Sequence, residues 1–371
     1  MAVLLAFLGA SPIARGQSHS PPSWNEASAS QAGVDSQAEA ELQQGIALTR
    51  QSRFQEAIPH FLAAQGRVRD EYAAEFNLSI CYVATNQFPR AVQILDGLAR
   101  GNHANAGVYN LLAQALIGER ATQKAFLAFQ QAVRLEPKNE QLYLLVAESC
   151  MNHQSYHLGL SVLDAGLKNL PQSPRLYYQR GVFYSFLDEP VRAGSDLQHV
   201  AQLAPGSVLA YLAVAQKALL NGDNPGTIQA ARAGLDKAPN DFFLLSILGR
   251  ALMRIGVSPG QPEFQEAQAA LEKSVAERPD YWVSQLALGK IDIMAGHLDE
   301  AIAHLQIARQ LSPATPAAYS QLALAYRKRG NRQEAEKMLE VLAHLNEQEE
   351  ARYKLAEPGH MAGYLGSQEL H

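Results

Sequence analysis

The stretch RLEPKNEQLYLLVAE (residues 134–148) places Pro137 between two apolar, helix-like runs, and Tyr143 follows the proline six residues later. Proline cannot continue a helix, because it lacks the amide hydrogen and its ring clashes with the preceding turn. The same arrangement returns along the chain at Pro137, Pro171, Pro205, Pro239, Pro279 and Pro313, with separations of 34, 34, 34, 40 and 34 residues. A helix terminator at a fixed period predicts a chain built from tandem repeats.

Units that end two residues after each proline share small residues at two fixed positions. With the phase extended backwards, nine units begin at Ala38, Tyr72, Ala106, Glu140, Pro174, Val208, Phe242, Trp282 and Pro316. The eighth position is Gly, Ala or Ser in every unit, and the twentieth is Ala or Gly in all but the sixth, which has Thr227. Two small residues that face each other let two antiparallel helices approach closely.

This pattern resembles the tetratricopeptide repeat family over residues 38–349. The family has an aromatic residue at position 4, as at Tyr143, a Leu-Gly pair at positions 7 and 8, as at Leu248-Gly249, and a proline at position 32. The resemblance implies an all-α fold, an α-solenoid in which tandem antiparallel helix pairs, helix A and helix B of each unit, form a right-handed superhelix. Arg69 and His103 replace the proline in the first two units, and the seventh unit carries six extra residues near VSPGQPEF (257–264).

The two ends of the chain differ from the repeats in composition. Residues 1–16 carry an apolar run followed by small residues, which predicts a secretory signal peptide and therefore a periplasmic or secreted protein; the alternative is an apolar tail on a cytoplasmic protein. Residues 17–37 have the Ser, Ala, Gln and Pro-rich composition of a disordered linker. Residues 350–371 are expected to extend the last helix and then to form a disordered tail after the breaker pair Pro358-Gly359.

Composition and charge narrow the class of partner. Hydrophobic residues make up 47% of the chain, enough for a continuous core, and the net charge of −5 gives no reason to expect a nucleic-acid partner. No apolar run approaches the roughly 20 residues that cross a bilayer. The two cysteines, Cys81 and Cys150, fall two units apart, too far for a disulfide, so both are expected to be free and buried.

The resemblance also implies a binding groove lined by the A helices, at positions 2, 5, 9, 12 and 13 of each unit. The residues predicted to line it are Phe76, Ile80, Leu144, Tyr178, Phe186, Leu212, Leu219, Arg250, Arg254, Lys290, Arg327 and Lys328. The first seven are apolar or aromatic and the last five are cationic, which suits a protein or peptide partner with apolar and acidic residues. The alternative is that closure of the superhelix and the two chain ends bury some of these residues.

No motif for catalysis, a cofactor or a metal is present in the sequence. His153 and His157 are four residues apart, but they straddle the predicted turn of the fourth unit and are interpreted as solvated turn residues. Two functions are therefore compared: a non-catalytic interaction scaffold in the bacterial periplasm or cell envelope, and a regulatory or targeting subunit of a cytoplasmic enzyme complex. The insertion in the seventh unit is a contact loop or, more simply, a surface insertion that costs the fold little stability.

Overall fold

The structure is a computed structural model that describes residues 35–356, with side chains to residue 348. The described chain consists of helices and turns, without a strand. The helices are α1 (Ser36–Arg50), α2 (Phe54–Ala64), α3 (Glu71–Ala84), α4 (Phe88–Arg100), α5 (Ala106–Gly118), α6 (Thr122–Leu135), α7 (Glu140–Asn152), α8 (Tyr156–Asn169), α9 (Pro174–Phe186), α10 (Pro190–Leu203), α11 (Val208–Leu220), α12 (Asn224–Leu235), α13 (Phe242–Arg254), α14 (Pro262–Glu277), α15 (Trp282–Ala295), α16 (Leu298–Leu311), α17 (Pro316–Lys328) and α18 (Arg332–Ala356). Seven of the nine predicted unit starts, from Ala106 to Pro316, coincide with the first residue of an odd-numbered helix.

The helices pack in successive pairs, which confirms the predicted helix A and helix B of each unit. Each odd-numbered helix packs mainly against the even-numbered helix that follows it. The described residues form two compact bodies, an N-terminal body (residues 35–203) and a C-terminal body (residues 204–356). Within each body, neighbouring A helices also touch: α5 packs beside α3 and α7, and α15 packs beside α13 and α17.

Side-chain caps explain where the A helices begin. The residue before the helix accepts hydrogen bonds from the first-turn amides in the first seven A helices, and these caps are Asp35, Asp70, Asn105, Asn139, Ser173, Ser207 and Asp241. Asp, Asn and Ser are the preferred N-cap residues, because a short polar side chain satisfies amides that have no partner inside the helix. The last five of these caps, from Asn105 to Asp241, occupy the last position of a unit, so the cap recurs with the repeat there. Asp70 lies one residue earlier in its unit, and Asp35 lies three residues before the first unit.

The prolines explain where several B helices end. Helix α6 ends at Leu135, and Glu136, which precedes Pro137, has φ −136° and ψ 68°. Ser312, which precedes Pro313, has nearly the same backbone, with φ −138° and ψ 79°. A residue before proline is pushed out of the helical region by the proline ring. The prediction that these prolines end the B helices is therefore confirmed.

The small residues at positions 8 and 20 form the predicted close contact within each pair. A Cβ atom added to Gly181 would lie 3.3 Å from the carbonyl oxygen of Ala193. At Gly249 the corresponding distance to the Ala267 oxygen is 3.1 Å, and the Leu271 side chain is closer still, at 2.5 Å. The two helix backbones therefore approach so closely that the eighth position admits only a small side chain.

A third position, the twenty-seventh, is Gly, Ala or Ser in six of the nine units and was missed by the sequence analysis. Gly166 lies against Tyr143 of its own unit and Leu176 of the next, both at 3.0 Å from an added Cβ atom. Gly234 occupies the same position in the sixth unit and lies against Tyr211 and Leu244. This position joins a B helix to two A helices, so it explains how one unit packs onto the next.

The insertion in the seventh unit is anchored at both ends. Val257 and Phe264 are 5% and 3% exposed, whereas the residues between them are exposed. The Ser258 amide donates to the Gln261 side-chain oxygen at 2.7 Å, which closes the turn before α14. The insertion lengthens the start of the B helix and adds a short turn; its function as a contact loop stays a prediction.

The last helix and the cysteines agree with expectation where they are described. Helix α18 ends at Ala356, and Leu345 packs against the core formed by α15 to α18. The predicted tail lies outside the described residues. Cys81 and Cys150 are free and fully buried, as predicted. Burial raises the pKa of the Cys150 thiol to about 12, which disfavours the reactive thiolate form.

Candidate functional site

The apolar residues predicted on the A helices divide into three groups by exposure. Phe76 and Ile80 are half-buried on α3 and pack against the core of the N-terminal body. Phe76 also stacks on Tyr72, with ring centroids 5.6 Å apart. Phe186 at the end of α9 is 52% exposed and stacks on Tyr156 at 5.7 Å, while Leu219 on α11 is half-buried.

Three of the predicted groove residues lie in the interior instead. Leu144, Tyr178 and Leu212 are 2%, 2% and 0% exposed. Each occupies the fifth position of its unit, on an A helix that packs beside another A helix of the same body. The neighbouring helices cover this position, so these three side chains contribute to the core and offer no open surface for a partner.

The N-terminal body carries an open groove at its first two units. It lies between α1 and the start of α3 and has a volume of about 550 Å³. Leu42 and Ile46 form its apolar part, and Glu39, Arg69 and Asp70 form its polar rim. The Glu39 carboxylate accepts the Arg69 amide at 2.9 Å, so part of this rim is already satisfied within the protein.

The cationic residues predicted for the groove lie on the A helices of the C-terminal body. Arg250 and Arg254 are one turn apart on α13, and Lys290 lies on the adjacent helix α15. Arg250 and Lys290 are half-buried and Arg254 is exposed. Arg327 and Lys328 are exposed at the end of α17, which packs beside α15.

The first three of these cations influence one another electrostatically. Burial lowers the pKa of Arg250, and the charge of Arg254 lowers it further. Burial also lowers the pKa of Lys290, with added contributions from Arg250 and Arg254. The hydroxyl of the buried Tyr281 lies near Arg250, and burial raises its pKa to about 12. Arg250, Arg254 and Lys290 therefore form one group of positive charge, termed here the cation cluster.

Two apolar residues on the same helices were missed by the sequence analysis. Met294 on α15 is 41% exposed and Leu324 on α17 is 38% exposed. They occupy positions 13 and 9 of their units, the same positions that carry Arg254 and Arg250 in the seventh unit. Both could have been identified from the sequence, because positions 9 and 13 are among the predicted groove positions and also carry the cations.

Glu148, at the ninth position of the fourth unit, is a further polar residue on an A helix. It lies on α7, its Oε1 atom is buried without a hydrogen-bond partner, and burial raises its pKa to about 7. The buried carboxyl group of Glu148, in the N-terminal body, therefore changes charge near neutral pH.

The two turn histidines differ in environment. His153 is half-buried against the Phe88 ring at 5.2 Å, and burial together with Arg120 lowers its pKa. The interpretation of His153 as a solvated residue was therefore wrong, because Phe88 of the second unit covers it, whereas His157 is exposed. Within residues 35–348, no three His, Cys, Asp or Glu side chains are placed to hold a metal ion.

Comparison with known families agrees with this architecture. Family profiles described as tetratricopeptide repeat match residues 48–115, 106–139 and 293–357. The chain belongs to the tetratricopeptide repeat family. Members of this family are interaction scaffolds, and the nine helix pairs of the described chain correspond to about nine repeats.

Among curated proteins, the chain is similar to anaphase-promoting complex subunit 7 of Mus musculus and of Homo sapiens. Each is 30% identical over 129 residues, which is 34% of this chain. The match spans 23% of the length of each relative, less than a quarter.

Two solved structures share the fold. Cut9–Hcn1, an APC/C hetero-tetramer, contains a chain that superimposes with a TM-score of 0.52 at 14% identity, over 85% of this chain and 74% of that one. A tetratricopeptide repeat protein from Parabacteroides merdae gives a TM-score of 0.51 at 18% identity, over 68% of this chain and 98% of that one. None of the described helices is both long and apolar enough to cross a membrane.

Proposed function

We propose that the protein is a non-catalytic scaffold that holds a partner protein or peptide against its A helices. The observation that carries this proposal is the surface of α13, α15 and α17, where the cation cluster on α13 and α15 is followed by the exposed Met294 on α15 and Leu324 on the adjacent α17. A partner with apolar and acidic residues would cover both.

Site-specific photocrosslinking tests the proposal. A benzophenone amino acid in place of Leu324 on α17 should form a covalent adduct with a defined partner in the native host. Leu339 on α18 provides a matched control, because the two leucines are 38% and 37% exposed but lie on an A helix and a B helix. Adducts of one partner at Leu324 and none at Leu339 are expected. Equal adducts at both positions, or none at either, would contradict the proposal.

The site of action is proposed to be the periplasm or cell envelope. The support is the apolar run within residues 1–16 and the small residues that follow it, Ala14 and Gly16. Intact-mass measurement of the protein purified from its host should give a mature chain that starts at Gln17. A retained Met1, with the protein in the cytoplasmic fraction, would overturn this location.

A second candidate function is a regulatory or targeting subunit of a cytoplasmic enzyme complex. It is favoured by the 129-residue similarity to a protein named as a subunit of a larger complex. Native mass spectrometry of the tagged protein from its host separates the candidates. Co-purification at fixed stoichiometry with an enzyme favours the subunit, whereas a monomer that captures one partner segment favours the scaffold.

A further inference from the structure

The cation cluster has no anionic partner among the side chains of residues 35–348. Across the described side chains, no carboxylate lies within 4.0 Å of Arg250, Arg254 or Lys290. By contrast, Arg232 and Arg329 in the same body pair with Glu266 at 2.6 Å and Asp299 at 2.7 Å.

Unpaired charge is ordinary at an exposed position but not at a half-buried one. Arg250 and Lys290 have lost part of their water without gaining a carboxylate, and each is also repelled by Arg254. Buried and partly buried cations are normally paired, because desolvation is expensive without an opposite charge. The cluster therefore holds charge that an anion from outside the chain would neutralise.

The repeat places the cluster in a regular row. Arg250, Lys290 and Leu324 all occupy the ninth position of their units, on three A helices that lie side by side in the order α13, α15, α17. A segment crossing these helices along the row would meet a cation, a second cation and then an apolar side chain. The row at position 13, with Arg254, Met294 and Lys328, offers the same two kinds of side chain beside it.

The distance between neighbouring A helices sets the spacing of the ligand residues that contact them. Packed helices lie about 8–10 Å apart, and an extended chain in the polyproline II conformation advances about 3.1 Å per residue and presents the same face at every third residue, so one helix corresponds to about three residues. We infer that the C-terminal body binds an extended peptide segment in which two acidic residues and one large apolar residue recur at every third position. The two carboxylates lie on Arg250 and Lys290, and the apolar side chain lies on Leu324 and Met294. This inference rests on the proposed scaffold function and specifies its ligand.

Fluorescence anisotropy with synthetic peptides and the full chain tests the inference. The probes are labelled peptides with Glu-x-x-Glu-x-x-Leu in either chain direction, where x is Ser or Gly. Two comparison peptides keep the composition but place Glu, Glu and Leu consecutively, or replace both Glu by Gln. At least one direction of the spaced peptide should bind at least tenfold more tightly than both comparison peptides.

Charge variants locate the site. Arg250→Gln combined with Lys290→Gln should weaken binding of the spaced peptide at least tenfold, whereas Arg232→Gln, which removes a cation that is already paired and lies on α12, should leave it unchanged. Because the double variant relieves repulsion, its melting temperature should not fall, so lost binding would not reflect unfolding. Equal binding of spaced and consecutive peptides, or equal loss in both variants, would overturn the inference. Partner adducts at Leu324 together with such a result would leave the scaffold function standing.

Discussion

The Tyr143 hydroxyl donates a hydrogen bond of 2.8 Å to the carbonyl oxygen of Pro137, six residues earlier. The same bond, also 2.8 Å, joins Tyr319 to Pro313. In the eighth unit the side-chain amide of Gln285 replaces the tyrosine and donates to the Pro279 carbonyl at 2.8 Å. Proline ends the B helix, and the side chain six residues later fixes the resulting turn to the next A helix. The pairing of proline and tyrosine in the repeat is therefore one interaction.

Removal of this hydroxyl should destabilise the fourth unit. Tyr143→Phe leaves the Pro137 carbonyl without this donor and removes one of the two acceptors of the Asn169 amide, which also donates to the Ala165 carbonyl at 3.2 Å. A hydrogen bond contributes about 0.5–1.5 kcal/mol of unfolding free energy, so the loss of the two should cost about 1–2 kcal/mol. Tyr109→Phe is the matched control, because its hydroxyl lies 3.4 Å from the Ala99 carbonyl. Urea denaturation should show a clear loss for the first variant and a smaller one for the second.

The close contact at position 8 gives a second prediction. Gly249→Ala would place a methyl group 2.5 Å from Leu271 Cγ and 3.1 Å from the Ala267 oxygen, so α13 and α14 must move apart. Overpacking of this kind costs about 1–3 kcal/mol. Gly97→Ala on α4 is the control: no atom lies within 4 Å of its added Cβ, and alanine favours a helix over glycine by about 1 kcal/mol. The unfolding free energy is expected to fall in Gly249→Ala and to rise in Gly97→Ala. A stability gain at Gly249 would show that the contact is loose.

The turn between the A and B helices adopts a left-handed backbone at position 15 in all nine units. The residues are Ser52, Asn86, Arg120, Gln154 and Asp188, with φ of 57–61°, and Gly222, Gly256, Gly296 and Gly330, with φ of 72–89°. A residue with a side chain lowers the unfolding free energy by about 1–2 kcal/mol when it adopts the left-handed conformation. Glycine avoids this cost but loses more conformational entropy on folding, which offsets part of the gain. Arg120→Gly should therefore raise the unfolding free energy by about 0.5–1 kcal/mol, and Gly330→Ala should lower it by a similar amount. Thermal denaturation of both variants checks this symmetry.

Position 15 also illustrates what sequence could and could not predict. Glycine in four turns indicates the left-handed backbone, but Arg120 and Gln154 give no such signal, because their conformation is imposed by the two helices they join. The unit starts and the small contacts were predictable, since each follows from residues within one repeat. The burial of Tyr178 was not, because it depends on how the neighbouring helix covers the fifth position. The unpaired state of Lys290 was not either, since it depends on which carboxylates lie opposite in other units.

Arg180 joins two B helices of the N-terminal body. Its guanidinium donates to both oxygens of Asp196 on α10 at 2.8 Å and to Asp164 on α8 at 2.7 Å. Asp196 is 4% exposed, so Arg180→Met would leave a buried carboxylate without its partner. Such a change costs about 3–5 kcal/mol for a fully buried pair, and the partial exposure of Arg180 reduces the expected loss to about 2–3 kcal/mol. Asp164→Asn should cost less than about 1 kcal/mol, because this carboxylate is exposed. Similar losses of unfolding free energy in the two variants would show that the pair with the buried Asp196 contributes no more stability than the pair with the exposed Asp164.

Glu148 should make the protein less stable as the pH rises through the weakly acidic range. An ordinary glutamate titrates near 4.5, and burial raises the pKa of Glu148 to about 7. The folded state therefore holds the proton more tightly than the unfolded state. Its contribution to stability is fully present below pH 4.5 and is lost as the pH rises through 7.

Glu148→Gln keeps the size of the side chain and removes its charge. One pKa unit corresponds to about 1.4 kcal/mol, so the rise from 4.5 to about 7 predicts that the unfolding free energy of the variant exceeds that of the wild type by about 3 kcal/mol at pH 8 and nearly matches it at pH 4.5. Urea denaturation of the wild type and the variant across this range measures the difference. A difference that does not change with pH would mean that the carboxylate reaches water in the folded state.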